Sequence, residues 1–209
     1  MPLVPLRPIE TDRVCVRPLS ESDLPSILAI NSDEEVVKFL GHAPWQAMAD
    51  AEAWFERISK LQAAGSALEF VIAAKESGNV IGRCGLFDFE EANAHARLGY
   101  ILARAFWGQG YMREALTALI SCAFSEMDLR RLEANVEANN TASASLLRRI
   151  GFTREGVLRE RWITKEETMD AEVYGLLRRE WPRLPWATEA PDAALLRTAS
   201  TGNNILVTT

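Results

Sequence analysis

The chain has 209 residues, of which 48% are apolar and 25% charged, a composition typical of one soluble domain with a hydrophobic core. Its net charge of −6 argues against general nucleic-acid binding, which favours a basic surface. No apolar run approaches the ~20 residues of a membrane helix, and no secretory leader is visible. We therefore expect a cytoplasmic protein with neither a membrane nor a nucleic-acid partner.

Hydrophobic periodicity predicts an α+β fold, with strands of period two and helices that carry one apolar face. In chain order we predict a strand (12–18), two helices (23–31 and 49–64), three strands (68–74, 80–89 and 94–102), a helix (113–127), a strand (129–136), a helix capped by Asn140 or Thr141 and closed by Gly151, and two strands (152–164 and 169–177). These elements predict a single domain over residues 1–186.

The composition changes after Trp186, where small and polar residues become frequent. We expect residues 187–209 to form a flexible tail. An alternative is that the tail docks on a neighbouring subunit through Ile205, Leu206 and Val207. The sequence is compatible with a monomer or a homodimer.

Cysteines and histidines give no sign of a disulfide framework or a metal site. Cys15, Cys84 and Cys122 lie in apolar contexts without paired spacing, which predicts buried free thiols. Neither His42 nor His95 has a cysteine or carboxylate at the spacing of a metal-ligand set, so we expect no metal.

The turn Gly108-Gln109-Gly110 joins an apolar strand to an amphipathic helix. Backbone N–H groups at a helix start lack intrahelical acceptors, and glycines leave room for a ligand, so this turn predicts a phosphate-binding site. A dinucleotide fingerprint would require a third glycine where Arg113 stands, and a Walker loop would require Gly-Lys-Ser/Thr. A tight strand-to-helix connection without a ligand is the alternative.

Two segments resemble the cofactor-binding motifs of the GNAT superfamily of N-acyltransferases. Trp107-Gly-Gln-Gly-Tyr-Met-Arg-Glu-Ala115 resembles its acyl-CoA pyrophosphate loop, and Asn140-x-x-Ser143-x-x-Leu146-Leu147-x-x-Ile150-Gly151-Phe152 resembles its second cofactor-contacting helix. Residues 11–19 and 169–177 resemble the first and last strands of the RimJ/RimL branch, which acetylates N-terminal amines of ribosomal proteins. The resemblance implies the GNAT fold, a mixed and mostly antiparallel sheet of about seven strands with flanking helices.

Some positions differ from the usual superfamily pattern. Trp107 stands where Gln or Arg is usual, Met112 replaces a small residue, and Arg104 replaces a proline. The RimJ/RimL branch often carries Trp and a bulkier residue at such places. Arg97 replaces a glutamate, which leaves the usual location of a base-bearing carboxylate empty.

The resemblance implies transfer of an acetyl group from acetyl-CoA to a primary amine, with each cofactor part held by its own residues. Asn140 is implied to contact the cofactor arm, and Ser143 to hydrogen-bond the sulfur and protonate the leaving thiolate. Main-chain groups of Ile101 and Leu102 are implied to pair with the pantetheine arm. The backbone amides expected to hold the pyrophosphate are those of Gly108, Gln109, Gly110, Tyr111, Met112 and Arg113.

Glu133 is the candidate general base, either directly or through water, because strand alternation points it away from Leu132 and Ala134. A surface carboxylate paired with Arg131 or Arg97 is the alternative interpretation. Further candidate carboxylates are Asp88, Glu160 and Asp170, and candidate walls for the acceptor pocket are Trp45 and Trp162.

The weak set of base candidates favours an acceptor that is partly neutral at pH 7. An α-amine with a pKa near ~8 meets this condition far better than a lysine side chain. The sequence therefore favours the N-terminal α-amine of a protein, and the resemblance to the RimJ/RimL branch implies a ribosomal protein. Alternatives are a small amine (a polyamine, an aminoglycoside or an amino acid) and a non-catalytic sensor that binds acyl-CoA.

Overall fold

The computed structural model describes residues 7–164 and 167–181. The strands are β1 (Ile9–Glu10), β2 (Val14–Pro18), β3 (Ala67–Ala74), β4 (Val80–Glu90), β5 (His95–Leu102), β6 (Arg131–Glu137), β7 (Thr153–Thr164) and β8 (Glu167–Leu177). The helices are α1 (Leu24–Asn31), α2 (Glu34–Val37), α3 (Met48–Ala63), α4 (Tyr111–Ser125) and α5 (Thr141–Ile150). The tail expected at residues 187–209 lies outside the described ranges and stays a prediction.

All eight strands form one sheet in the order β1-β2-β3-β4-β5-β6-β8-β7. Every neighbouring pair is antiparallel except β5 and β6, which run parallel. The mixed, mostly antiparallel sheet confirms the predicted fold class. β1 and α2 were not predicted, because a two-residue strand and a four-residue helix are too short to show periodicity in the sequence.

The two faces of the sheet carry different helices. Phe70 and Ile72 of β3 belong to the cluster that contains Leu116 and Leu119 of α4. Val71, between them in sequence, packs instead with α1 and α3. Because neighbouring side chains of a strand point to opposite faces, α4 covers one face of the sheet, and α1 and α3 cover the other.

Helix α5 begins and ends where the sequence predicted. The side chain of Asn140 accepts a hydrogen bond from the N–H of Ser143 at 3.0 Å, which satisfies a donor of the first turn. Gly151 ends the helix with a φ of +110°, a left-handed conformation that favours glycine.

Two further features of the described ranges concern membranes and metals. No helix there has both the length and the apolar character needed to cross a bilayer. No group of three or more His, Cys, Asp or Glu side chains is arranged there to hold a metal ion.

A buried ion pair lies on the face that α3 covers. Arg83 Nη1 of β4 donates to Glu69 Oε1 of β3 at 2.9 Å, and the Arg83 guanidinium lies 4.8 Å from the ring centroid of Trp54. A Cβ at Gly85 would lie 2.6 Å from the carbonyl oxygen of Leu68 and 2.7 Å from Glu69 Oε2. Gly85 therefore lets the buried carboxylate and the neighbouring strand approach closely.

We expect Gly85→Ala to lower the free energy of unfolding by about 1–3 kcal/mol, because backbone and a buried carboxylate must move to admit the methyl group. Urea or thermal unfolding measures the change. Gly41→Ala is the matched control, since a Cβ there meets no atom within 4 Å. Equal stability of Gly85→Ala and wild type would refute the close approach.

Candidate functional site

The turn between β5 and α4 has the backbone geometry of an open loop at a helix start. A 3₁₀ turn at Arg104–Phe106 follows β5, and α4 begins at Tyr111. Gly108 and Gly110 have φ values of +73° and +84°, in the left-handed region that side chains other than glycine rarely adopt. The two glycines therefore set the path of the chain into α4.

The backbone N–H groups of this loop are free to bind an anion. The N–H of Trp107 donates to the carbonyl of Arg104 at 3.1 Å, and the N–H of Glu114 donates to the carbonyl of Gly110 at 3.1 Å. Between them, the N–H groups of residues 108–113 donate to no acceptor in the described part of the chain. Such donors, with the positive end of the helix dipole, have the properties of helix starts that bind phosphate groups.

Side chains of the loop fold back on their own backbone. The indole Nε1 of Trp107 donates to the carbonyl of Leu102 at 2.7 Å, and Nε2 of Gln109 donates to the carbonyl of Ala105 at 2.7 Å. The rings of Phe106 and Tyr111 meet edge to face, 5.5 Å between centroids. These contacts hold the loop in one shape without using the N–H groups of residues 108–113.

A gap opens inside the sheet beside this loop. β5 and β6 pair only from His95↔Arg131 to Arg97↔Glu133. β5 then continues to Leu102 and β6 to Glu137 without further pairing between them. The separating strands leave main-chain groups without a strand partner in the middle of the sheet.

The ladder between β4 and β5 determines which main-chain groups face this gap. The N–H of Ala103 donates to the carbonyl of Ile81, so the alternate residue Ile101 is the one that exchanges hydrogen bonds with Arg83. The main-chain groups of Tyr100 and Leu102 therefore face away from β4, toward the gap. The side chain of Ile101 is buried with Ile30 and Val37.

On the face covered by α4 and α5, a short hydrogen bond crosses the gap. The hydroxyls of Tyr100 and Ser143 lie 2.6 Å apart, and the two residues are 43 positions apart in sequence. Burial raises the pKa of Tyr100 to about 12, although the hydrogen bond to Ser143 acts in the opposite direction. Tyr100 is therefore protonated at neutral pH.

The opposite face of the gap carries a cluster of polar side chains. Glu133 Oε2 lies 3.2 Å from Arg131 Nη2 and 3.9 Å from His95 Nε2. Arg131 also forms an ion pair with Glu155 at 2.6 Å. The buried atoms Asn135 Oδ1 and His95 Nε2 have no hydrogen-bond partner among the described residues.

The other candidate carboxylates have different surroundings. Asp88 forms an ion pair with Arg97. Glu160, with a φ of +49°, donates its N–H to Asp170 Oδ1 at 2.8 Å within the β7–β8 hairpin. Neither arrangement brings these carboxylates to the Tyr100–Ser143 pair by any contact in the described ranges.

The two candidate pocket walls also differ in their surroundings. Trp45 packs between His42 and Trp54, with ring centroids 5.7 and 5.9 Å away. Its position against α3 supports a contribution to the core. Trp162 is partly buried on β7, opposite Met169 of β8.

The structure thus brings Asn140, Ser143 and the loop residues to one end of the gap, and Glu133 to the start of the gap on its other face. Tyr100 is not among the site residues predicted from the sequence, and His95 was considered there only as a metal ligand. Tyr100 alternates with Leu98 and Leu102 and reads as a core residue. Its contact with Ser143 joins residues 43 positions apart in sequence, and no local sequence pattern reveals such a contact.

Known proteins resemble this chain over most of its length. Residues 13–153 match a family model described as "Acetyltransferase (GNAT) domain". N-acetyltransferase p20 of Bacillus licheniformis is 35% identical over 171 residues, covering 82% of this chain and 96% of that protein. The ribosomal protein uS5-alanine N-acetyltransferase of Escherichia coli (strain K12) is 27% identical over 187 residues, covering 85% and 94%. A GCN5-related N-acetyltransferase from Brucella melitensis has a similar structure, with a TM-score of 0.80, 26% identity, and coverage of 90% and 86%.

Proposed function

Because the chain belongs to the GNAT acetyltransferase family, we propose that it transfers the acetyl group of acetyl-CoA to the α-amine at the N-terminus of a protein. Membership confirms the resemblance indicated by the sequence motifs, and acetyl-CoA-dependent acyltransferase activity follows from it. The class of acceptor and the roles of individual residues are the proposal.

The observation that carries the cofactor assignment is the set of N–H groups at residues 108–113, which have no acceptor in the described chain. We assign them to the pyrophosphate of acetyl-CoA, whose negative charge the α4 dipole also favours. Asn140, which caps α5 beside Ser143, is assigned to the cofactor arm.

The pantetheine arm is assigned to the gap between β5 and β6, where it would pair with β5 as an added strand does. The carbonyl of Leu102 already accepts from Trp107, which leaves the N–H of Leu102 and both main-chain groups of Tyr100 for this pairing. The main-chain groups of Ile101 face β4. In the proposed pairing with the pantetheine arm, Tyr100 therefore takes the place expected for Ile101.

The two faces of the gap suit the two reacting groups, the departing sulfur and the attacking amine. Acetyl-CoA supplies a thioester whose carbonyl carbon bonds to the neutral amine as its C–S bond breaks. Ser143 hydrogen-bonds the departing sulfur and can relay to it a proton from solvent, which restores the serine hydroxyl, and the protonated Tyr100 orients that hydroxyl. On the other face, Glu133 takes the amine proton directly or through water, and Asn135 Oδ1 accepts an amine N–H.

The charges around the gap support the proposed class of acceptor. Glu133 is paired with Arg131, and Asp88 with Arg97. About a tenth of an α-amine with a pKa near ~8 is neutral at pH 7, against well under ~1% of a lysine side chain. A site whose carboxylates are engaged by arginines suits the α-amine. The similarity to an enzyme named for alanine in ribosomal protein uS5 supports the same class.

The acceptor is tested by following thiol release from acetyl-CoA with a panel of amines. We expect turnover with short peptides that have a free N-terminal alanine or serine. We expect little with the same peptides after N-terminal blocking, even when they contain a lysine. Faster turnover with spermine, an aminoglycoside or a free amino acid would overturn the protein acceptor. Binding of CoA without turnover on any amine would indicate a sensor.

The loop assignment predicts that Gly108→Asp weakens CoA binding, because a Cβ at Gly108 meets no atom within 4 Å and the carboxylate would add negative charge beside the N–H groups assigned to the pyrophosphate. Gly108→Asn is the matched control, since Asn has the same shape without the charge and both tolerate a positive φ. We expect calorimetry to detect at least about a hundredfold weaker binding for Asp than for Asn, because like charges in contact cost several kcal/mol. Equal affinities of the two variants would refute the assignment.

The role of Ser143 predicts that Ser143→Ala lowers kcat by about a hundredfold while the KM for acetyl-CoA changes little. A loss confined to kcat is the signature of an interaction made only in the transition state. Ser145→Ala, in the same helix, should retain wild-type kinetics. An unchanged kcat for Ser143→Ala would remove the assigned role.

A further inference from the structure

The residue before β2, Arg13, reaches across to the loop that precedes α4. Its Nη1 donates to the carbonyl oxygen of Gln109 at 2.9 Å, and its Nε donates to Glu114 Oε2 at 2.7 Å. The guanidinium carbon lies 4.5 Å from the ring centroid of Tyr111. One side chain from the start of the chain thus contacts the loop and the first turn of α4 together.

Glu114 anchors this arginine from the helix side. Its Oε1 accepts from the Thr11 hydroxyl at 2.6 Å and from the Arg13 backbone N–H at 2.8 Å. Burial acts to raise the pKa of Glu114, but these hydrogen bonds and the guanidinium outweigh it, so the pKa lies below its ordinary value. The carboxylate is therefore charged at neutral pH and fixes the Arg13 guanidinium.

The contact with Gln109 has a consequence for the next residue. The carbonyl of Gln109 and the N–H of Gly110 belong to one planar trans peptide, in which they point in opposite directions. Holding the carbonyl on Arg13 therefore turns the Gly110 N–H away from Arg13. Gly110 has no side chain to restrict rotation about its φ, so the contact between Arg13 and the Gln109 carbonyl adds to the loop's own hydrogen bonds in fixing this peptide.

We propose that Arg13 is a positioning residue for acetyl-CoA, which aims the Gly110 N–H at the pyrophosphate by holding the Gln109 carbonyl from behind the loop. This inference rests on the proposed function, because it assigns the same N–H groups to the cofactor. Arg13 acts through the loop and makes no contact of its own with the acceptor amine.

The test compares Arg13→Ala with Arg17→Ala. Arg17 lies on β2, four residues after Arg13, and forms an ion pair with Asp23 at 2.7 Å, away from the loop. We expect Arg13→Ala to raise the Kd for CoA at least about tenfold, as expected for the loss of an aligned donor to a charged group. At saturating acetyl-CoA its kcat should stay within about twofold of wild type. Arg17→Ala should keep the wild-type Kd, even if both variants melt at lower temperatures.

Two further measurements separate positioning from other roles. Binding of 3′-dephospho-CoA should weaken by the same factor in Arg13→Ala, whereas a direct contact with the 3′-phosphate would leave that binding unchanged and overturn the proposal. Glu114→Gln should also weaken CoA binding. The double variant should be no weaker than Arg13→Ala alone, because both act through one contact. Additive losses would contradict the shared mechanism.

The outcomes also distinguish this inference from the proposed function. If wild type binds CoA and Arg13→Ala binds it within twofold as tightly, the positioning role is wrong and the cofactor assignment stands. If wild type itself fails to bind CoA in the same calorimetric titration, the cofactor assignment fails, and the role of Arg13 fails with it.

Discussion

After three residue pairs, β5 and β6 separate, and this divergence positions every group of the candidate site. Since the two strands are parallel, their carboxyl ends lie at the same edge of the sheet. The helices that follow them, α4 and α5, therefore begin near one another, one with free N–H groups and the other with Asn140 and Ser143. An antiparallel pair at this point would send the two helix starts to opposite edges.

The gap between β5 and β6 has different polar side chains on its two faces. Tyr100 and Ser143 lie toward α5, where burial and a short hydrogen bond keep a phenol protonated. Glu133, His95 and Asn135 lie on the other face, among charged partners and buried acceptors. Under the proposed function, the departing thiolate and the attacking amine would therefore contact different polar side chains, on opposite faces of the gap between β5 and β6.

Local signals explain what the sequence predicted well. The glycines at 108, 110 and 151 and the cap at Asn140 act within a few residues, and α4 has a strong apolar period, so the loop and both helices were predicted near their observed places. Long-range contacts explain what was missed. The Tyr100–Ser143 bond and the contact of Arg13 with Gln109 join residues 43 and 96 positions apart, and they depend on the sheet order. The Glu69–Arg83 pair was missed because a buried charge in a strand reads as a surface residue.

An unpaired stretch of strand inside a sheet differs from an unpaired edge strand in its risk of aggregation. An exposed edge strand offers its main chain to any extended polypeptide, which is a common origin of aggregation. Here the unpaired stretch of β5 is flanked on its far side by β6, β8 and β7, so a second protein's strand cannot approach it laterally. The fold can thus leave peptide groups of β5 without a strand partner while β6, β8 and β7 keep other chains from pairing with them.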